Sequence, residues 1–194
     1  KLVMVGAPID LAAAHCGLSA VAEATPLTVF QGLVNSGNGL VIGRSIAKFW
    51  GNPTDTKHVH EILQTAHPIG SPEFTQLEAS FRKWNSWTID VPGKYYLEVV
   101  EKLYKRNELA SGSFVALGQR IDLSQLRLPI YLLAGSADDV VAPEQALALQ
   151  RLVGTAPEAL CHQVAPCNHL SLFMGRRTLE EYWPAIVRWL KQAD

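Results

Sequence analysis

The sequence predicts an α/β fold: a parallel sheet flanked by helices, forming the carboxyl-terminal portion of a longer domain, with an inserted and mainly helical cap. Three observations carry this. Residues 1–5 and 129–134 are apolar runs without polar alternation, the form of strands buried on both faces. Residues 160–165 supply a further strand, and the late strands start at 129 and 160, a spacing that suits one βαβ crossover. Between the first strand and residue 92 the chain is instead rich in turn formers and carries only broken helical pieces, too long for a connection.

Taken in order, residues 1–12 are read as a core strand and loop, 13–92 as the cap, and 93–194 as the rest of the core. Turn clusters in the cap are Asn35-Ser36-Gly37-Asn38-Gly39, Gly51-Asn52-Pro53 and His67-Pro68-Ile69-Gly70-Ser71-Pro72. After Pro92-Gly93, residues Tyr96, Val99, Val100 and Leu103 fall at i, i+3, i+4 and i+7, which predicts an amphipathic helix of about four turns. Pro143 is placed to open the next helix, with Ala146, Leu149, Leu152 and Val153 facing inward. Thr178 and Glu181 match a capping box, and Leu179, Tyr182, Trp183, Ile186 and Leu190 form a last helical stripe. Pro184 inside that stripe predicts a kink or a restart.

Composition narrows the function classes. The 194 residues are 48% hydrophobic and 18% charged, a globular balance. Net charge is −1, with no basic cluster that would draw nucleic acid or an anionic membrane. No apolar run reaches the length of a transmembrane segment. Three cysteines, Cys16, Cys161 and Cys167, show no disulfide framework and fit a reducing, cytoplasmic compartment. The chain opens on an apolar strand without an initiator methionine, so a preceding segment is expected. A sheet edge left by such a truncation would invite pairing with another copy, giving a homo-oligomer.

Functional groups in α/β sheets collect beyond the carboxyl ends of strands. Beyond the strand at 129–134 stand Asp138 and Asp139; beyond the strand at 160–165 stand Cys167, Asn168 and His169. An acid after one strand and a histidine after the next is the late half of a nucleophile–acid–histidine triad. The carboxylate fixes the imidazole tautomer and stabilises the imidazolium formed when the other ring nitrogen takes a nucleophile's proton. Asp139, four residues before Pro143, is the expected acid, and Asp138 a loop-surface or capping residue. No Gly-x-Ser-x-Gly elbow is present, so the nucleophile is expected upstream of Lys1. Cys16 lacks the elbow context and reads as a small buried thiol. Cys161, His162, Cys167 and His169 lack a zinc-knuckle spacing, and no metal or cofactor is expected. Trp84, Trp87 and Asn168 are candidate substrate-lining residues, although such aromatics also serve as packing.

These blocks resemble a known group. WNSWTIDVPGKYYLEVVEKLYKRNEL at 84–109 and RIDLSQLRLPIY at 120–131 are similar to polyhydroxyalkanoate synthases. Val5-Gly6-Ala7-Pro8-Ile9-Asp10, YLEVVEKLYKR at 96–106 and NHLSLFMG at 168–175 resemble the carboxyl-terminal region of intracellular polyhydroxybutyrate depolymerases. The resemblance implies an α/β-hydrolase handling esters of 3-hydroxy acids, with Asp139 as its acid and His169 as its histidine. It also implies a hydroxyacyl ester or polyester granule as partner. Synthases usually carry Gly before this histidine and small residues after it. Asn168 and Leu170-Ser171-Leu172-Phe173 therefore favour a depolymerase-type ester hydrolase. The alternatives are a synthase using hydroxyacyl-thioesters, or a non-catalytic granule-binding homologue.

Overall fold

The computed structural model describes residues 1–49 and 55–192, so the Gly51-Asn52-Pro53 turn lies outside the described residues. Strands β1 (Leu2–Val5), β2 (Ile130–Gly135) and β3 (Leu160–Ala165) form a parallel sheet in the order β1-β2-β3. Leu2 pairs with Ile130, and Ile130 with Leu160. All six residues of β2 are buried, which explains its unbroken apolar sequence.

The two-residue period sorts that strand between two cores. Tyr131 and Leu133 point into one, with Ala165, Cys167, Leu172 and Ile186. Ile130 and Leu132 point into the other, with Ile9 and Leu149. Each strand lies within one residue of its expected bounds.

Between β1 and residue 91 the chain forms α1 (Gly17–Ala24), α2 (Leu27–Ser36), α3 (Gly43–Phe49), α4 (Thr56–Leu63) and α5 (Pro72–Asn85). Local chemistry starts two of these helices. The Asp55 carboxylate accepts from the His58 amide at 2.9 Å, and the Ser71 hydroxyl accepts from the Phe74 amide at 3.2 Å. This segment has small cores of its own: Phe30, Val34 and Val41 with Tyr96 and Val100, and Val59, Ile62 and Phe81. Polar ties join it to the carboxyl-terminal helices. Buried Ser171 donates its hydroxyl to the Ile62 carbonyl at 2.8 Å, and Gln64 Oε1 accepts from the Thr178 hydroxyl at 3.2 Å.

The expected amphipathic helix is α6 (Gly93–Glu98), which runs directly into a π-helical stretch, Val99–Lys105. The Arg106 amide donates to the Glu101 carbonyl at 3.0 Å, an i→i−5 bond. Tyr96 and Val100 are buried as the periodicity predicts. The wider register turns Val99, Leu103 and Tyr104 together onto a different surface, described below.

Helix α7 (Pro143–Leu147) does open at Pro143 and then tightens to a 3-10 turn, Ala148–Arg151. The chain ends in α8 (Ser171–Met174), α9 (Arg176–Glu181) and α10 (Trp183–Lys191). The restart expected at Pro184 is observed, since that residue sits in the first turn of α10. The capping box expected at Thr178 is not: Gly175 precedes α9, and Thr178 lies inside it with its hydroxyl directed to Gln64. Among the described residues no helix is long and apolar enough to cross a membrane.

Candidate active site

The site sits beyond the carboxyl ends of all three strands. Strand β2 ends at Gly135, where a Cβ would lie 2.5 Å from the Cys167 carbonyl oxygen. Only glycine allows the acid loop and the histidine loop to close on each other there. A turn follows, with the Asp138 amide donating to the Gly135 carbonyl at 3.3 Å. It exposes Ser136 and Ala137 and turns the side chain of Asp138 inward.

Asp138 is the carboxylate that meets the histidine. Its Oδ1 accepts from the amides of Val140 and Val141 at 2.9 and 2.8 Å, and its Oδ2 accepts from His169 Nδ1 at 2.8 Å. The side chain is fully buried, and these three bonds replace its hydration. Because an ionised carboxylate only accepts, Nδ1 is assigned the proton and Nε2 keeps its lone pair. His169 is 23% exposed, so the ring remains accessible. Phe173, in α8, packs edge-on against it at 5.9 Å between centroids.

This corrects the expected acid. Asp139 is exposed; its backbone carbonyl accepts from the Leu18 amide at 3.2 Å, and its side chain borders a separate polar pocket with His58, Glu61 and Gln64. The reason is local geometry. A carboxylate two and three residues ahead of free amides folds back onto them as an Asx turn. Asp138 holds that position relative to Val140 and Val141, so its second oxygen is aimed at the histidine.

Gly6, at the end of β1, closes the site from below. Its φ is +54°, and a Cβ there would stand 2.9 Å from Leu172 Cδ1 and 3.1 Å from His169 Cε1. Both backbone conformation and contact require glycine. The imidazole thus rests on bare backbone between Gly6 and Asp138. A glycine just past an apolar strand was a usable signal in the sequence, as was Gly135.

In front of the imidazole lies a cavity of about 240 Å³, lined by Gly6, Pro8, Val99, Leu103, Tyr104 and Val140, among others. Its walls are mainly apolar, and the π-helical register supplies three of them. Burial pushes the Tyr104 hydroxyl up to about 12, so that group stays neutral at physiological pH.

The remaining candidates lie elsewhere. Trp84 and Trp87 are 50% and 76% exposed, Trp84 packs on Phe81, and neither lines the His169 cavity. Asn168 turns away from it: its Oδ1 accepts from the Ser171 amide at 3.0 Å, starting α8, and shares the one Ser171 hydroxyl proton, at 2.8 Å, with the Ile62 carbonyl. The Cys16 thiol donates to the Val140 carbonyl at 3.1 Å. Cys167 is buried, and burial pushes its thiol up, which keeps it protonated and unreactive. Cys161 packs against the sheet core while its neighbour His162 is exposed, as strand alternation dictates. Among the described residues no group of three or more His, Cys, Asp or Glu side chains is arranged to hold a metal ion.

Known proteins share this architecture. The monoacylglycerol lipase of Paleococcus ferrophilus superposes with a TM-score of 0.52 at 17% identity, over 97% of this chain and 57% of that one. A hydrolase from Pseudomonas aeruginosa gives 0.50 at 15% identity, over 99% and 56%. These likenesses establish an α/β-hydrolase fold.

In sequence, the chain is 26% identical over 124 residues to the poly(3-hydroxyalkanoate) polymerase subunit PhaC of Haloferax mediterranei, covering 64% of this chain and 25% of that protein. It is 28% identical over 118 residues to the protein of the same name from Synechocystis, covering 58% and 30%. The chain therefore spans only about a quarter to a third of these two relatives. The sequence pattern described as PHB de-polymerase C-terminus matches residues 55–194, well over half of the chain. With that match, the α/β-hydrolase scaffold and the polyhydroxyalkanoate relatives, this protein belongs to the PHB de-polymerase C-terminus family, within the polyhydroxyalkanoate synthase and depolymerase group.

Proposed function

We propose that this chain supplies the acid and the histidine of a hydroxyacyl transferase of the poly(3-hydroxyalkanoate) polymerase type, with residues 13–92 serving as its cap. The observation that carries the chemistry is the buried Asp138 carboxylate 2.8 Å from His169 Nδ1, at the mouth of an apolar cavity. In this reading the nucleophile, a Cys or Ser, comes from sequence ahead of Lys1. His169 Nε2 takes its proton as it attacks the carbonyl of a 3-hydroxyacyl thioester, and the thiol leaves with a proton returned by the imidazolium. The acyl-enzyme then passes to the hydroxyl of a growing polyester, activated by the same Nε2. Asp138 orients the ring throughout and balances its positive charge.

The preference for transfer over hydrolysis reverses the order expected from Asn168 and residues 170–173. It is supported by the polymerase name of the curated relatives. Asn168 also loses weight as an argument for hydrolysis, because its side chain is committed to starting α8. Depolymerisation stays the second reading, favoured by the description of the family itself. The two differ in donor and acceptor: transfer takes the acyl group from a thioester to a chain hydroxyl, and depolymerisation takes it from the polyester to water.

The test gives the intact protein 3-hydroxybutyryl-CoA and, separately, amorphous polyhydroxybutyrate granules. Release of coenzyme A with insoluble polymer is expected. Soluble 3-hydroxybutyrate from granules, without polymer from the thioester, would overturn transfer in favour of hydrolysis.

A further inference from the structure

A second cavity adjoins the one in front of His169. It measures about 180 Å³ and lies between α1, α2, α3 and the rod formed by α6 and the π-helical stretch. Its walls include Leu18, Ala22, Phe30 and Ile46, and they are almost entirely apolar. Tyr95, Val99 and Tyr104 line both cavities, so the two share a wall of three side chains. Val99 and Tyr104 stand five residues apart, the separation that a π-helix, but not an α-helix, brings onto one face. Together the cavities fall within the range of about 300–1,000 Å³ typical of small-ligand clefts.

Their chemistry differs. The first holds the imidazole and the backbone turn at Gly6, groups suited to a reacting ester. Among the described residues no charged side chain lines the second, and its mainly apolar wall favours hydrocarbon over water. Resting on the reading of the first cavity as the ester-handling site, we infer that the second is a subsite for the aliphatic side chain borne by carbon 3 of the hydroxyacyl group. Tyr95, Val99 and Tyr104 form its threshold. A methyl side chain stays in the first cavity; a longer alkyl chain crosses the threshold and is held among Ala22, Phe30 and Ile46. The far wall, not the catalytic pair, then sets the preferred chain length.

The test is binding of methyl 3-hydroxybutyrate and methyl 3-hydroxydecanoate to the intact protein, followed calorimetrically below micellar concentrations. Two variants fill the subsite from different helices, Ala22→Leu on α1 and Ile46→Phe on α3. The wild type is expected to bind the decanoate ester at least about tenfold more tightly than the butyrate ester, as differences of several methylenes in an apolar pocket produce. Either variant, once shown folded by circular dichroism, is expected to erase most of that advantage and leave butyrate binding within about twofold. Equal affinity of the wild type for both esters would overturn the inference. So would a folded variant that weakens both equally or neither. Failure of the thioester assay with chain-length selectivity intact would sink the transferase reading and leave this subsite standing.

Discussion

The sheet and the helical segment before α6 are held together in different ways, and the site draws on both. In the sheet, one strand, β2, is buried along its whole length and divides its side chains between two cores. The helical segment is a set of short helices with two small clusters, tied to the body by side chains such as Ser171 and Gln64. The sheet places Asp138 and His169 together at strand ends. The helices and the π-helical stretch give the cavity its apolar walls.

Substitutions in the two regions should differ in size of effect. The largest effect is expected from His169→Ala, which should lower turnover of the intact protein on the order of 10⁶-fold and also lower the unfolding midpoint, because it takes one of three bonds from the buried Asp138 carboxylate. Turnover assays beside a thermal melt check both halves of that statement. Next in size is a pair that weighs the two regions. Leu133→Ala in the sheet core should cost about 2–5 kcal/mol in a urea titration. Ser171→Ala at the tie to α4 should cost only about 1–3 kcal/mol, from the buried Ile62 carbonyl left short of a donor. Equal costs would mean that the helical segment is as integral to the fold as the sheet.

The smallest effect concerns Asp10. Partial burial works against its charge, but bonds from Asn107, Arg151 and the Ala12 amide outweigh this and hold its carboxyl below the ordinary value of 3.8. A depressed carboxylate contributes stability that is present above its unfolded pKa and lost as pH falls through its folded pKa. Wild-type stability should therefore decline more steeply below about pH 4 than that of Asp10→Asn. Parallel curves in acid-dependent melts would show that Asp10 contributes no pH-dependent stability.

The sheet was legible because buried parallel strands leave unbroken apolar runs, as at 129–134, and the histidine was legible from its place after the next strand. The carboxylate that meets the histidine lies one residue ahead of the one expected. Spacing to Pro143 pointed to Asp139, whereas the deciding physics is the Asx turn, in which Val140 and Val141 amides capture Asp138. Adjacent identical residues cannot be told apart by periodicity; only the turn distinguishes them. The cavity walls were hidden for a related reason. Tyr96, Val99, Val100 and Leu103 read as one α-helical stripe, but the π register divides them between a core and a cavity. Trp84 and Trp87 drew notice by size alone, yet they lie at the exposed end of α5 and in the turn after it.

Asp138, not its neighbour, bonds the histidine. Asp138→Asn and Asp139→Asn, assayed side by side in the intact protein on 3-hydroxybutyryl-CoA, test it most directly. Asp138→Asn should lower turnover by about 10⁴-fold, the cost of presenting the wrong tautomer, and Asp139→Asn should stay within about twofold of wild type. Loss at Asp139 with activity retained at Asp138 would show that Asp139 carries that role.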